Sequence, residues 1–390
     1  MSDQKNGLSR RDFLKNGAFA AAAMGVLPGA KKAPQMMPES KTEIKADPKV
    51  DPSKILNYHP DMRYRRLGNT DIYLSVISLG GIGIDKSVMM YGVDKGVNCL
   101  HTSNRYSGGN SIKMLGELLK TKRDKVYVAL KDTFANIDDD LKILNTDHVD
   151  FVMFNRHSEA GVLDPRVFED FERYRKEGKA LYAGLTCHDN VKACVGAAVR
   201  CGKYSLIQPT LNQNAFDSMQ PELQQAAEKG VGIMGMKTAQ GFHSLDMELA
   251  NLKRVIANPG VVTVSRVLKS FEQVDAYIRT VKETLSAAED MSLYRYARMN
   301  RPNVCMMCGT CEAGCPGNVP ISTVLRSKYY YADQLGEMDM AAETFREAME
   351  GKSLPASCSE CGKCEAACPN GIPVRERLAG AADFFRGRFA

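Results

Sequence analysis

Beyond its first 30 residues, the 390-residue chain has no apolar stretch long enough for a conventional membrane span. It has no polybasic block and no nucleic-acid-binding motif, so nucleic acid is dropped as a partner. Composition is otherwise that of a globular protein, and the length suits one large domain plus a small one. The formal charge of +6 is partly a terminal effect. Lys5, Arg10, Arg11 and Lys15 face only Asp3 and Asp12 in the first 30 residues.

What the chain does have is twelve cysteines, eight of them in two short runs near the C-terminus. The first run is Cys305, Cys308, Cys311 and Cys315, followed by Pro316. The second is Cys358, Cys361, Cys364 and Cys368, followed by Pro369. Both read C-x2-C-x2-C-x3-C-P, and neither contains His. A zinc ribbon and a disulfide framework are the competing readings. Zinc sites pair C-x2-C units over longer gaps and often recruit His. Disulfide frameworks suit short secreted domains. The pattern resembles the runs that hold [4Fe–4S] clusters in bacterial two-cluster ferredoxins. That resemblance implies two clusters and single-electron transfer. It also implies crossed ligation: Cys305, Cys308, Cys311 and Cys368 on one cluster, Cys358, Cys361, Cys364 and Cys315 on the other. Eight thiolates around two oxidised clusters add about −4, which brings the loaded chain near neutrality. Of the remaining cysteines, Cys194 and Cys201 share a face of an expected helix and read as small buried residues. Cys187 ends an expected strand, which would let it face a barrel mouth.

The segment Ser9-Arg10-Arg11-Asp12-Phe13-Leu14-Lys15 matches the twin-arginine export signal, and an alanine-rich stretch follows to Ala30. The expectation is a signal peptide over residues 1–30 and a periplasmic location, with membrane association only if the signal stays uncleaved. Export of folded protein suits clusters assembled in the cytoplasm. Residues 31–60, rich in Lys, Pro, Asp and Glu, read as a solvated tether.

Between Arg63 and about Lys282, short Val/Ile/Leu-rich runs alternate with amphipathic stretches. The runs are 75–79, 97–102, 125–130, 149–154, 181–185, 206–211, 231–236 and 261–267. Eight such runs with intervening helices predict a (β/α)8 TIM barrel, an α/β fold, over residues 61–285. Residues 286–390 predict a small, mainly helical ferredoxin-like domain. Within it, 319–331 and 338–350 read as helices between the cysteine runs. A helix over 283–300 would climb the barrel and carry the clusters to its mouth.

Several segments resemble the aldo-keto reductase family. They are Arg65–Thr70, Gly96–Ser103 with Tyr106, Asp140–Leu144 with His148-Val149-Asp150, Gly178–Leu185, and Gln208 with Asn212. The family reduces carbonyls with NADPH, using a Tyr proton donor, a Lys that lowers that Tyr's pKa, an Asp beside the Lys, and a His. The resemblance places Tyr106 and Lys131 at the first two positions, His101 at the Asp position and Asn155 at the His position. His157 falls on the same side if the segment is extended. For the cofactor, the resemblance points to Gln208, Lys237, Ser265, Arg266 and Lys269, although the family's adenosine-gripping Glu-Asn pair is Ala276-Tyr277 here.

These observations imply an exported iron–sulfur oxidoreductase. Its barrel binds a small organic substrate or a redox partner protein near Tyr106, Lys131, His101 and Asn155. A second reading is an NAD(P)H-dependent carbonyl reductase with added clusters. A third is a non-catalytic electron-transfer subunit whose barrel is a docking scaffold.

Overall fold

The computed structural model describes residues 50–132, 137–352 and 358–386. The twin-arginine motif and most of the expected tether lie outside the described residues. A hairpin of β1 (Tyr64–Arg66) and β2 (Tyr73–Ser75) precedes eight strands. These are β3 (Ile77–Gly80), β4 (Cys99–Thr102), β5 (Tyr127–Asp132), β6 (Val149–Asn155), β7 (Ala180–Cys187), β8 (Leu206–Pro209), β9 (Gly232–Gly235) and β10 (Val261–Arg266). All eight pair in parallel, and β10 closes on β3 to complete a barrel. Each lies within two residues of its predicted run.

Alternation along the strands decides which side chains enter the barrel. On β6, Phe151 and Met153 point into the interior cluster, while Val152 and Phe154 join the core beneath the outer helices. On β5, Tyr127 and Ala129 face inward, and Val128 and Leu130 outward. The same parity puts Lys131 and Asn155 on the inward side at the C-terminal ends of their strands. His101 follows Cys99 inward on β4. Leu67, Ile72 and Leu74 of the hairpin region plug the opposite end of the interior, against Cys99, Phe151, Leu206 and Met234. One end of the barrel is therefore an apolar floor, and the other is polar.

Cys187 is one residue out of phase with the inward series on β7. It lies in the outer core with Val191 and Cys194, so it does not face the mouth as expected. The expected tether also ends earlier than residue 60. Ile55 is buried against the barrel, and the Asn57 side chain donates to the carbonyls of Val93 and Val97.

After β10, the helix Phe271–Thr280 completes the outer layer, and the helix Ala287–Asn300 runs along the outside. Ser286 and Glu289 form a reciprocal capping box that sets its start. It is thus shorter than the predicted helix and about 21 Å long. Leu293 packs with Phe242 and Ala250, and Lys253 reaches Glu283 at 2.8 Å and Glu289 at 2.6 Å. The chain then crosses the polar end. Asn212 Nδ2 donates to the Cys305 carbonyl at 2.8 Å, and the Val191 amide donates to the Met307 carbonyl at 3.2 Å. The cysteine-rich segment is helical, with Ile321–Arg326, a π-helical turn Ser327–Ala332, Met338–Met349 and Val374–Arg386. Val319, Ile321, Val324, Leu325, Ile372 and Leu378 are among the residues of its own core. No helix among the described residues is long and apolar enough to cross a membrane.

Gly80 is the tightest point between β3 and β4. Its φ is +141°, and a Cβ there would lie 1.8 Å from the His101 carbonyl oxygen. Gly80→Ala is expected to cost roughly 3 kcal/mol or more, because backbone cannot yield as a flexible side chain would. Thermal unfolding of wild type and variant checks this; equal melting temperatures would contradict the packing described.

Candidate active site

The polar end carries the side chains that strand parity sends inward, at the face where barrels of this kind hold their sites. Register places His101 beside Ala129, Lys131 beside Met153 and Asn155 beside Thr186. Four of the predicted residues, His101, Tyr106, Lys131 and Asn155, thus share one rim. His101 is buried, and neither ring nitrogen has a hydrogen-bond partner. Burial, then the Lys131 charge, pushes its pKa down to about 3, so it is neutral. Its ring meets that of Tyr106 edge-on, with centroids 5.6 Å apart.

Lys131 does not lower the Tyr106 pKa as the resemblance implied. Burial, with Tyr331 and Tyr330 nearby, raises the phenol instead. The Lys131 ammonium lies 5.9 Å from the Tyr106 ring centroid, and its hydrogen bond goes to His188 Nε2 at 3.1 Å. Lys237, after β9, meets the other nitrogen of the same ring, Nδ1, also at 3.1 Å. His188 follows β7 and is buried between the two amines. Burial is the first cause lowering Lys131 to about 7, and the charges of Arg326 and Arg105 add to it. Lys237 is depressed well below its ordinary value for the same first reason, with Arg326 and Lys131 following.

One carboxylate answers these cations. Asp189 Oδ2 accepts from Arg326 Nη1 at 3.1 Å and from Thr323 Oγ1 at 3.0 Å, and lies 3.3 Å from His157 Nδ1. Burial opposes its charge, but Arg326, then His157 and Thr323, hold the carboxyl below its ordinary value. Both partners of the pair are buried, and they come from opposite domains. His157 Nε2 in turn meets Asn155 Nδ2 at 3.1 Å, which places His157 beside Asn155 as expected. The π-helical turn after Arg326 brings Tyr330 and Tyr331 into the mouth. Their ring centroids lie 4.5 and 5.6 Å from Lys237 Nζ.

His188, Asp189, Arg326, Tyr330 and Tyr331 are not among the residues that the sequence pattern or the resemblance singles out. The first two had a signal: a His-Asp pair directly after a predicted strand, where a barrel places its functional groups. Arg326 and the tyrosines had none.

The predicted cofactor residues are dispersed. Gln208 is buried inside the barrel, accepting from Thr186 Oγ1 at 3.2 Å and contacting Met234 Sδ at 3.2 Å. Arg266 is paired with Glu248 at 2.6 Å, and Tyr277 donates to the same carboxylate oxygen. Lys269 donates to the Gly83 carbonyl at 2.7 Å, with Glu337 beside it. Ser265 is part-buried on β10, paired with Ser78. The cations expected to meet a phosphate are engaged, Lys237 is turned to His188, and tyrosines stand in the mouth. This arrangement does not fit a nicotinamide dinucleotide.

The cysteines fit an iron–sulfur group better. Cys305, Cys308, Cys311 and Cys368, drawn from both runs, line one cavity with Leu325, Ile372 and Val374. The Met307 amide donates to Cys305 Sγ at 3.4 Å, Thr310 Oγ1 to Cys308 Sγ at 3.2 Å, and the Ile372 amide to Cys368 Sγ at 3.5 Å. Such bonds stabilise thiolate charge. Burial, then the neighbouring thiols, pushes Cys305 up to about 12, so cations must hold these sulfurs as thiolates. In the other set, burial raises Cys358, and Cys315 and Cys361 add to it. Cys364 is raised by burial and by Cys358 among its neighbours.

Comparisons with known proteins agree with these two parts. Residues 86–254 match the aldo/keto reductase family, and residues 301–372 match the 4Fe–4S dicluster domain. The chain is 25% identical over 150 residues to the uncharacterized oxidoreductase YqkF of Bacillus subtilis (strain 168). That match covers 32% of this chain and 49% of YqkF, so the chain spans about half the length of this relative. Among solved structures, it is similar to the aldo-keto reductase AKR11C1 from Bacillus halodurans. The holo form gives a TM-score of 0.49 at 20% identity, covering 60% of this chain and 96% of that one. The apo form gives 0.48 at 22% identity, with the same coverage of each chain.

Two outcomes follow from the charges. Arg326→Leu leaves Asp189 buried without its cation, and is expected to cost roughly 3–5 kcal/mol in denaturant unfolding. An unchanged midpoint would show that the pair does not join the domains. Lys131 binds its proton more weakly folded than unfolded. The unfolded chain therefore holds more protons between pH 7 and pH 10.5, and stability from this position rises across that window. The penalty is fully present below about pH 7. Lys131→Met should show a smaller rise in melting temperature from pH 7 to pH 9 than wild type, and an equal rise would contradict the assignment.

Proposed function

We propose that this chain, an aldo/keto reductase-type barrel joined to a 4Fe–4S dicluster domain, is an exported iron–sulfur oxidoreductase. It passes electrons between two [4Fe–4S] clusters and a small organic substrate or redox partner protein at the barrel mouth. The observation that carries this reading is the four-thiol cavity, drawn from both cysteine runs, on the segment bonded to the mouth at Asn212 and Val191. Cys305, Cys308, Cys311 and Cys368 would hold one cluster, and Cys358, Cys361, Cys364 and Cys315 the other. When bound, the clusters supply one-electron transfer.

The chain's own residues supply proton and charge chemistry. Tyr106 keeps its proton because burial disfavours phenolate, so it can donate to a developing oxyanion. His101 is neutral and offers two unpartnered nitrogens at the same rim. Lys131 titrates near 7, which suits a group that gives and takes a proton. Asn155 and His157 line the adjacent side. The Ser9–Lys15 motif supports export by the twin-arginine route to the periplasm. Use of a nicotinamide cofactor is not favoured, since Arg266 and Lys269 are already engaged.

Anaerobically prepared protein is expected to carry about eight iron atoms per chain, as two [4Fe–4S] clusters require. Cys368→Ala should lower that to about four and leave one reduced-state paramagnetic signal. Protein that binds zinc with no visible absorbance would sink the reading. Restoration of the reduced clusters by millimolar NADPH alone would favour a carbonyl reductase.

A further inference from the structure

The imidazole of His188 lies between two lysines, and this sets a limit on protons. Lys131 Nζ is 3.1 Å from Nε2, and Lys237 Nζ is 3.1 Å from Nδ1. A neutral imidazole has one N–H and one lone pair. If both lysines were ammonium ions, the N–H would face a group with no lone pair. Both contacts are hydrogen bonds only when the three groups share at most one excess proton. With one proton, an imidazolium can donate to both neutral amines, or one lysine can hold the charge. In the latter case, either Lys131 is the ammonium and donates to Nε2 while Nδ1–H donates to neutral Lys237, or the reverse holds.

We propose that Lys131, His188 and Lys237 form a one-proton relay between the Tyr106 rim and the iron–sulfur domain, coupled to the charge of the nearer cluster. This rests on the oxidoreductase reading above. The transfer balances without any heavy atom moving. The Nζ–H bond of Lys131 breaks as Nε2–H forms, and Nδ1–H breaks as the Nζ–H of Lys237 forms. When one electron from an external reductant enters the domain, one proton from solvent enters the relay, which carries no excess proton while the cluster is oxidised, and the local charge is unchanged.

The surroundings support the coupling. Lys131 comes from β5 beside Tyr106, and Lys237 stands under Tyr330 and Tyr331 of the iron–sulfur domain. The ring of His157 stacks on His188 at 6.1 Å. Asp189, the next residue, is paired with Arg326 and acts electrostatically on Cys305. Arg105 bears on Lys131 but is itself paired with Glu343 and Glu347. Asp189 is thus already matched by Arg326, which leaves the relay as the group free to change its proton count. Burial and these charges depress both lysines, so the oxidised protein can hold the relay without its excess proton, and reduction refills it.

The test is the midpoint potential of the clusters in the full chain, followed by paramagnetic resonance from pH 5.5 to pH 9. Full one-proton coupling shifts a one-electron potential by about 59 mV per pH unit. Wild type is expected to approach that slope for one cluster. His188→Gln can still bridge two amines but cannot pass a proton, and its potential should be independent of pH with cluster content unchanged. Lys237→Met should flatten the slope too, and serves if the glutamine variant does not fold. A pH-independent wild-type potential, or a glutamine variant with the wild-type slope, overturns the relay while leaving the oxidoreductase reading intact. Absence of any cluster signal in wild type overturns both.

Discussion

A buried ion pair, Asp189 with Arg326, ties the barrel and the cysteine-rich segment into one site. Neither charge would be tolerated alone at that depth, since burial penalises both and their proximity is the largest influence that offsets it. Asp189 belongs to the barrel, directly after β7, and Arg326 ends a helix between the cysteine runs. The turn that follows Arg326 delivers Tyr330 and Tyr331, so the pair also fixes what fills the mouth.

The pair explains how the site tolerates the loss of its expected acid. The position beside Lys131 on β4 is His101, which burial keeps neutral. Negative charge has moved to the loop after β7, where it answers Arg326 before it answers the lysines. Lys131 and Lys237 are left with an imidazole instead of a carboxylate, and burial, with Arg326 nearby, makes both lose protons readily. In place of an acid that tunes a phenol, the barrel holds a chain of nitrogen bases facing the iron–sulfur domain. The same domain occupies the space over the mouth, and Arg266 and Lys269 are turned to Glu248 and a backbone carbonyl.

Much of this was readable from residues alone. The barrel followed from eight short apolar runs, because strand and helix periods are local properties of sequence. The inward direction of Lys131 and Asn155 follows from parity once the strands are known. Cys187 shows the limit: its position at a strand end was right, but one residue of phase turned it to the outer core. The resemblance named Tyr106, Lys131, His101 and Asn155, which do share a rim. It misdirected the tuning of Tyr106, which burial and two tyrosines from another domain raise. Lys237 was named for a cofactor and is found on His188.

The strand count, the cysteine spacing and the residues available at the strand ends all follow from local sequence. Each is set by neighbours within a few residues, where spacing converts directly into geometry. Which of those residues meet is set by long-range packing. Lys131 and His188 are 57 residues apart, His188 and Lys237 are 49 apart, and Asp189 and Arg326 are 137 apart. Closure of the barrel and the crossing of the C-terminal segment bring them together. Their protonation depends on burial and on charges from both domains, which no local pattern carries.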